Sequence, residues 1–229
     1  MGTALVNQKV TTDQSMTLDL LVNQLYYFNA RGRAETIRLT FVMSGIQFED
    51  CRIEGRDWAA LKPKTPTGRL PYLEVTAADG TIRSYDESGA IVRWLAKSHD
   101  LMGNSNEQYY RIERVIGQCT DIDNEMVGIF HAKTDEDKVS RSRKFQKESG
   151  VKLLKLLKES LLESTDKFVA GSNVTLGNLT LMTTVDLVDA HFAELMKNQF
   201  PELLKHRQDV LSCHPKLAEY VKSRPVSQW

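Results

Sequence analysis

The stretch Leu25–Leu39, "LYYFNARGRAETIRL", decides how this chain is read. A short apolar segment meets two adjacent tyrosines, then Asn-Ala-Arg-Gly-Arg, and passes directly into helical spacing of apolar residues. A strand needed only for packing would end on apolar side chains. Phenolic hydroxyls beside a basic helix start form a place to hold something anionic.

Working outward, Leu25–Phe28 reads as a strand and residues 33–44 as a helix with Ile37, Leu39, Phe41 and Val42 apolar. A second strand follows near Phe48–Ile53. A Pro/Gly-bearing loop, "LKPKTPTGRLPYLEV", enters a strand at Tyr72–Val75. The turn signal "ADG", the paired strand "TIRSY" and a helix over Glu87–Lys97 complete a small α/β layer with a mixed sheet. From about Asn106 strand signals nearly vanish. "YYRIERVIGQCTDIDNEMVGIF" and "FQKESGVKLLKLLKESLLES" carry apolar residues at helical spacing, with Val151, Leu154, Leu157 and Leu161 on one face. "LGNLTLMTTVDLVDAHFAELM" is a candidate central helix, and "FPELLKHRQDVLSCHPKLAEYVKSRP" reads as two short helices with Pro215 in the first turn of the second. His99–Gln108 reads as the linker between an α/β half and an all-helical half.

The 229 residues suffice for a substantial core. Thirty basic residues balance thirty acidic ones, which points to neither nucleic acid nor an anionic membrane as partner. Cys51, Cys119 and Cys213 lie far apart, without metal or redox spacing, and read as free thiols in a reducing, cytoplasmic setting. Residues 1–22 carry neither a basic n-region nor an apolar h-region; they read as a mobile N-terminal extension, not a signal peptide. No stretch reaches transmembrane length. The sequons at Asn173 and Asn178 then carry no sugar.

Several chemistries fall away. Phosphate-binding glycine loops of either standard spacing are absent, as is G-x-S-x-G. The five histidines are dispersed, so no metal is expected. "DIDNE" at Asp121–Glu125 reads as a solvated acidic face. Cys51 and Cys119 read as packing residues. What remains is a set that can converge: Tyr27 at a strand end, Pro71 at a strand entry, Glu87 and Ser88 at a helix N-terminus that can bind a carboxylate, and Trp58 and Lys62 as donors in the loop before the proline.

In this order and spacing the set resembles the glutathione transferases, within them the sigma class, and looks closest to the flatworm (fluke) members. "YYFNARGRAETIRL", "GRLPYLEV", "ESGAIVRWLAK", "IERVIGQCTDID" and "PELLKHRQDVL…HPKLAEYVKSRP" carry the resemblance from Leu25 to about Pro225. It implies a thioredoxin-like glutathione-binding domain over residues 23–100 and an all-helical domain over residues 106–229. The second domain would complete the electrophile site and the interface of a homodimer.

Carried over position by position, Tyr27 faces the glutathione sulfur, with Arg33 beside it and Phe28 adjoining. Tyr26 points to the opposite side of the strand. Trp58 and Lys62 hold the glycine carboxylate. Leu70, before a cis Pro71, pairs its backbone with the cysteinyl unit, and Glu87 and Ser88 grip the γ-glutamyl end. Asp121 reaches the glutathione of the partner subunit. An electrophile pocket from Phe28, Met126, Phe130 and Trp229 is the corresponding expectation. The implied activity is attack of a glutathione thiolate on hydrophobic electrophiles or peroxides, with prostaglandin D isomerisation a further reaction of some sigma members. The alternative is a non-catalytic carrier of hydrophobic ligands or a crystallin-like structural relative.

One departure stands out. The capping box Ser/Thr-x-x-Asp usual in the family is here Thr175-Leu-Gly-Asn178, which predicts a modest cost in stability from the missing charge.

Overall fold

Strand β1 (Val22–Phe28) is the element on which the first half is assembled. In the computed structural model, which describes residues 22–227, it lies between β2 (Glu49–Ile53), parallel to it, and β3 (Tyr72–Thr76), antiparallel. Strand β4 (Ile82–Tyr85) closes the edge, giving the order β2-β1-β3-β4. The mixed sheet read from the sequence is therefore present. Of the expected N-terminal extension, residues 1–21 lie outside the described residues, as does Trp229.

The period of two along β1 divides its side chains. Leu25 is opposite Leu73 in the register, and both are fully buried. Tyr26 stacks flat on Tyr72 at 4.5 Å between ring centroids. Helix α1 (Glu35–Ser44) packs on α3 (Ser88–Ser98), burying Ile37, Leu39, Phe41, Ile91 and Leu95. Gly45, at φ 73°, ends α1 in the left-handed conformation that glycine adopts without a Cβ penalty. A short helix, α2 (Trp58–Leu61), interrupts what the sequence suggested was loop.

The helical half begins at α4 (Asn106–Phe130), whose N-cap Ser105 accepts a hydrogen bond from the Gln108 N–H. Its buried stripe runs Ile112, Val115, Ile116, Cys119, Ile122, Met126 and Ile129. Each such side chain contributes roughly 1.5–3 kcal/mol on burial. This stripe packs on α6 (Ser149–Leu162) and α7 (Leu176–Gln199). Helices α8 (Pro201–Cys213) and α9 (Pro215–Ser223) each open on proline in the first turn.

Two sequence expectations change here. The helix expected to run through "FQKESGVKLLKLLKESLLES" is broken at Glu148 (φ −136°, ψ −85°), between α5 (Asp135–Lys147) and α6. The Phe145 ring occupies the space where a Cβ on Gly150 would stand, 2.6 Å away, so the turn needs a residue without a side chain. Helix α5 escaped the periodicity reading because Phe145 is its one buried residue, although Thr134 caps it by accepting from the Asp137 N–H.

The cap at Asn178 is also better satisfied than the sequence suggested. Its Oδ1 accepts from both the N–H and the hydroxyl of Thr175, each at 2.8 Å. Its amide nitrogen donates to Nε2 of buried His206 at 3.2 Å, a bond a carboxylate could not donate.

The two halves are joined by buried charge. Arg38, fully buried, donates to Asp50, to Glu35 and to the carbonyl of Ala30. Glu35 in turn accepts from Arg224 at 2.7 Å, and Arg224 also pairs with Asp186 on α7, which Arg207 of α8 contacts as well. Ser227 receives the Arg31 N–H on its hydroxyl at 3.2 Å.

Candidate active site

A cleft of about 890 Å³ opens where the C-terminal end of β1 meets α4 and α7. Tyr27, Phe28, Arg33, Leu70 and Ser88 all line it, so the structure brings these five expected site residues together. Tyr27 reaches it because β1 ends one residue later and the chain turns sharply through Ala30–Arg33. Gly32, at φ 37°, allows that turn; a Cβ there would lie 2.5 Å from the Tyr27 hydroxyl. The backbone N–H of Arg33 donates to the Tyr27 oxygen at 3.2 Å. A phenol has one O–H to donate, and with its oxygen already accepting, that hydrogen is left for a partner in the cleft. The guanidinium of Arg38 lies 5.9 Å from the centre of the Tyr27 ring.

The Leu70–Pro71 peptide is cis, and Pro71 itself is buried while Leu70 lines the cleft. Glu87 adopts φ 61°, rare for a residue with a side chain, immediately before the first turn of α3. Its carbonyl accepts from Ala90 and Ile91, so Ser88 and Gly89 present the helix start to the cleft. Strain of this kind concentrates at functional positions.

Other expected residues fall elsewhere. Trp58, half-buried, contacts the Phe28 ring edge-on at 5.6 Å, outside the cleft lining. Lys62 and Glu87 are exposed and do not line the cleft; Arg69 approaches Glu87 at 3.5 Å. Asp121 is exposed on α4 and borders a separate hollow with Arg141 and Leu153. Met126 is fully buried in the core and does not line the cleft. Phe130 packs edge-on against His191, at 4.6 Å between centroids, also outside it. Helix rotation is the reason: the α4 stripe facing the cleft is Ile116, Thr120, Asp123 and Val127, one position round from the core stripe.

Reading by motif missed Arg31, Asp123, Asp186 and Arg224, which also line the cleft. Only Asp123 left a trace in sequence, at helical spacing from Ile116 and Thr120. Burial pushes its carboxyl up to about 6, while a hydrogen bond from Thr184 at 3.0 Å opposes the shift. Burial also lowers Arg31, with the Arg224 charge adding to the effect. Burial raises the thiol of Cys119, in keeping with a packing role, and no cluster among the described residues could hold a metal ion. Among the described residues no helix is long and apolar enough to cross a membrane.

Comparison with known proteins gives consistent matches. The glutathione S-transferase N-terminal domain family matches residues 25–105, and the C-terminal domain family matches residues 120–224. A sigma-class enzyme of this kind from Fasciola hepatica is 39% identical in sequence. Its structure superimposes with a TM-score of 0.88 over 92% of this chain and 100% of its own. The Schistosoma japonicum protein named glutathione S-transferase class-mu 28 kDa isozyme is 39% identical over 204 residues, 88% of this chain and 97% of that one. The structure of rat hPGDS complexed with a quinoline is more distant, at 26% identity and a TM-score of 0.78 over 90% of this chain and 99% of its own.

Proposed function

The chain belongs to the glutathione S-transferase family, in its sigma class near the fluke members, and on that premise we propose that Tyr27 activates the glutathione thiol. The enzyme is a glutathione transferase of thioredoxin-like plus all-helical architecture, with glutathione as cosubstrate.

The observation that carries the proposal is the Tyr27 hydroxyl, set in the cleft with its oxygen already accepting from Arg33 N–H. Glutathione would lie along the Leu70 backbone. Its γ-glutamyl end would meet the start of α3 at Glu87 and Ser88, and its glycine carboxylate would meet Trp58 and Lys62. A free thiol with a pKa of ~8.5 is only about 3% thiolate at pH 7. The Tyr27 O–H donates to the sulfur anion and Arg33 adds positive field. Lowering the thiol pKa by ~2 units requires about 2.7 kcal/mol, within reach of one charge-assisted hydrogen bond and a nearby cation.

The thiolate then attacks a hydrophobic electrophile or a peroxide; the enzyme aligns and activates without a covalent intermediate of its own. Isomerisation of a prostaglandin endoperoxide is a further reaction of the same thiolate, supported less by the 26% identity to rat hPGDS. Asp121, exposed on α4, is assigned to the partner's glutathione in a homodimer.

The test is the ultraviolet spectrum of bound glutathione across pH, in wild type and Tyr27→Phe. A thiolate band persisting well below pH 8 and lost in the variant is expected. Glutathione that binds yet titrates as in water would leave a carrier or structural protein with an idle site.

A further inference from the structure

Among the described residues, three carboxylates line the cleft: Glu35, Asp123 and Asp186. Two are spoken for. Glu35 is paired with Arg38 and Arg224, and Asp186 with Arg207 and Arg224. Asp123 has no basic partner among the described residues; its carboxyl accepts from the neutral hydroxyl of Thr184 at 3.0 Å. A carboxyl held in a wall of α4 and α7, without a cation to favour its anion, is suited to carry a proton.

Not every electrophile needs one. When a thiolate displaces halide from an activated ring, the leaving group departs as an anion and no proton is transferred. When it adds to an α,β-unsaturated carbonyl compound, the new C–S bond at the β-carbon drives the π electrons onto oxygen. The resulting enolate must then be protonated. A donor on the opposite wall of the cleft from Tyr27 serves this second class alone.

We propose that Asp123 is the proton donor when glutathione adds to α,β-unsaturated carbonyl substrates. The sulfur bonds to the β-carbon, the enolate takes the proton of the Asp123 carboxyl, and the carboxylate is reprotonated from solvent. Thr184 orients the group from α7. Of the other cations lining the cleft, Arg224 is held by Glu35 and Asp186, while Arg31 and Arg33 lie on the turn after β1. Cys119, one turn back on α4, is a buried thiol, and Arg93 across the cleft is bound to Glu113. His131 lies two turns further along α4, and Asp186 is held by its arginines. The inference rests on thiolate formation at Tyr27 and adds the fate of the electrophile.

Two rates measured on one enzyme separate the steps: addition to trans-2-nonenal and displacement of chloride from 1-chloro-2,4-dinitrobenzene. Thiolate formation enters both, so their ratio cancels it. In Asp123→Asn the ratio of addition to displacement is expected to fall by at least tenfold; a ratio within twofold of wild type overturns the inference. In wild type the ratio should decline as pH rises through about 6, where the carboxyl loses its proton. Thr184→Val removes the hydrogen bond that favours the anion, so that decline should move to higher pH; an unmoved profile also overturns the inference. If wild type shows no thiolate band, the inference falls together with the assignment of Tyr27. An unchanged ratio with the band intact sinks the role of Asp123 alone.

Discussion

Gly32 sits against the hydroxyl of Tyr27 so closely that a methyl group there would stand 2.5 Å from the phenolic oxygen. The turn that supplies Arg33's N–H to that oxygen therefore has no room for a side chain. Substituting Gly32→Ala should displace the Tyr27 ring, and the φ of 37° adds strain of about 1 kcal/mol. We expect kcat/KM for glutathione conjugation to fall roughly 10- to 100-fold, since each 1.36 kcal/mol is tenfold in rate. The spectrum of bound glutathione should show a weakened thiolate band. Wild-type activity in Gly32→Ala would mean that the turn does not set the hydroxyl.

Arg224 is 9% exposed and bridges Glu35, 2% exposed, to Asp186. Removing one member of a buried charge network leaves the others uncompensated, at a cost of about 3–5 kcal/mol. Arg224→Ala should lose stability on that scale in denaturant unfolding. Arg224→Lys should recover only part of it, because one ammonium cannot present the planar fork that reaches two carboxylates. A loss below 1 kcal/mol in Arg224→Ala would mean that the bridge is idle.

His206 is 3% exposed, and burial lowers its pKa to about 4 from an ordinary 6.5. The unfolded chain takes up a proton in that window while the folded one does not, so this histidine's contribution to stability is present above pH 6.5 and lost as pH falls through about 4. The full effect is about 3 kcal/mol. Asp123 acts with the opposite sign, because its raised carboxyl binds a proton in the folded state first, stabilising as pH falls through about 6. The difference between variants isolates each group. His206→Gln keeps an acceptor for Asn178 without titrating there, so its stability should fall less than that of wild type between pH 6.5 and pH 4. Parallel curves would assign the acid sensitivity elsewhere.

Asp121 lies exposed on α4, away from the cleft of its own chain. If it serves the partner's glutathione, Asp121→Ala should raise the KM for glutathione severalfold while kcat for a given electrophile changes little. Sedimentation should find a dimer in both proteins. A monomeric wild type with normal glutathione affinity would remove this role.

What could be read from sequence was local. Tyr27, Arg33, Leu70 and Ser88 stand at strand ends and a helix start, where short patterns fix both conformation and chemistry. Met126 was misplaced because neighbouring stripes of one helix differ by about 100° per residue, and sequence does not say which stripe meets the cleft. Asp123 read as solvated because its burial comes from α7, more than fifty residues on. Arg224 and Arg31 could not be found at all: their place depends on the end of the described chain crossing back to the first helix. Glu148 was read through because propensity alone does not register that the Phe145 ring takes the space over Gly150.

The segment from Arg224 to Ser227 has one more consequence. A short segment beyond a helix end ordinarily opens at almost no free-energy cost. Here that segment is fastened to Arg31 and Glu35, whose partners run through Arg38 to Asp50 at the sheet. To loosen the tail is to uncover charge at the heart of the molecule. The corner of the cleft that Arg224 forms should therefore open only when that charge network opens with it.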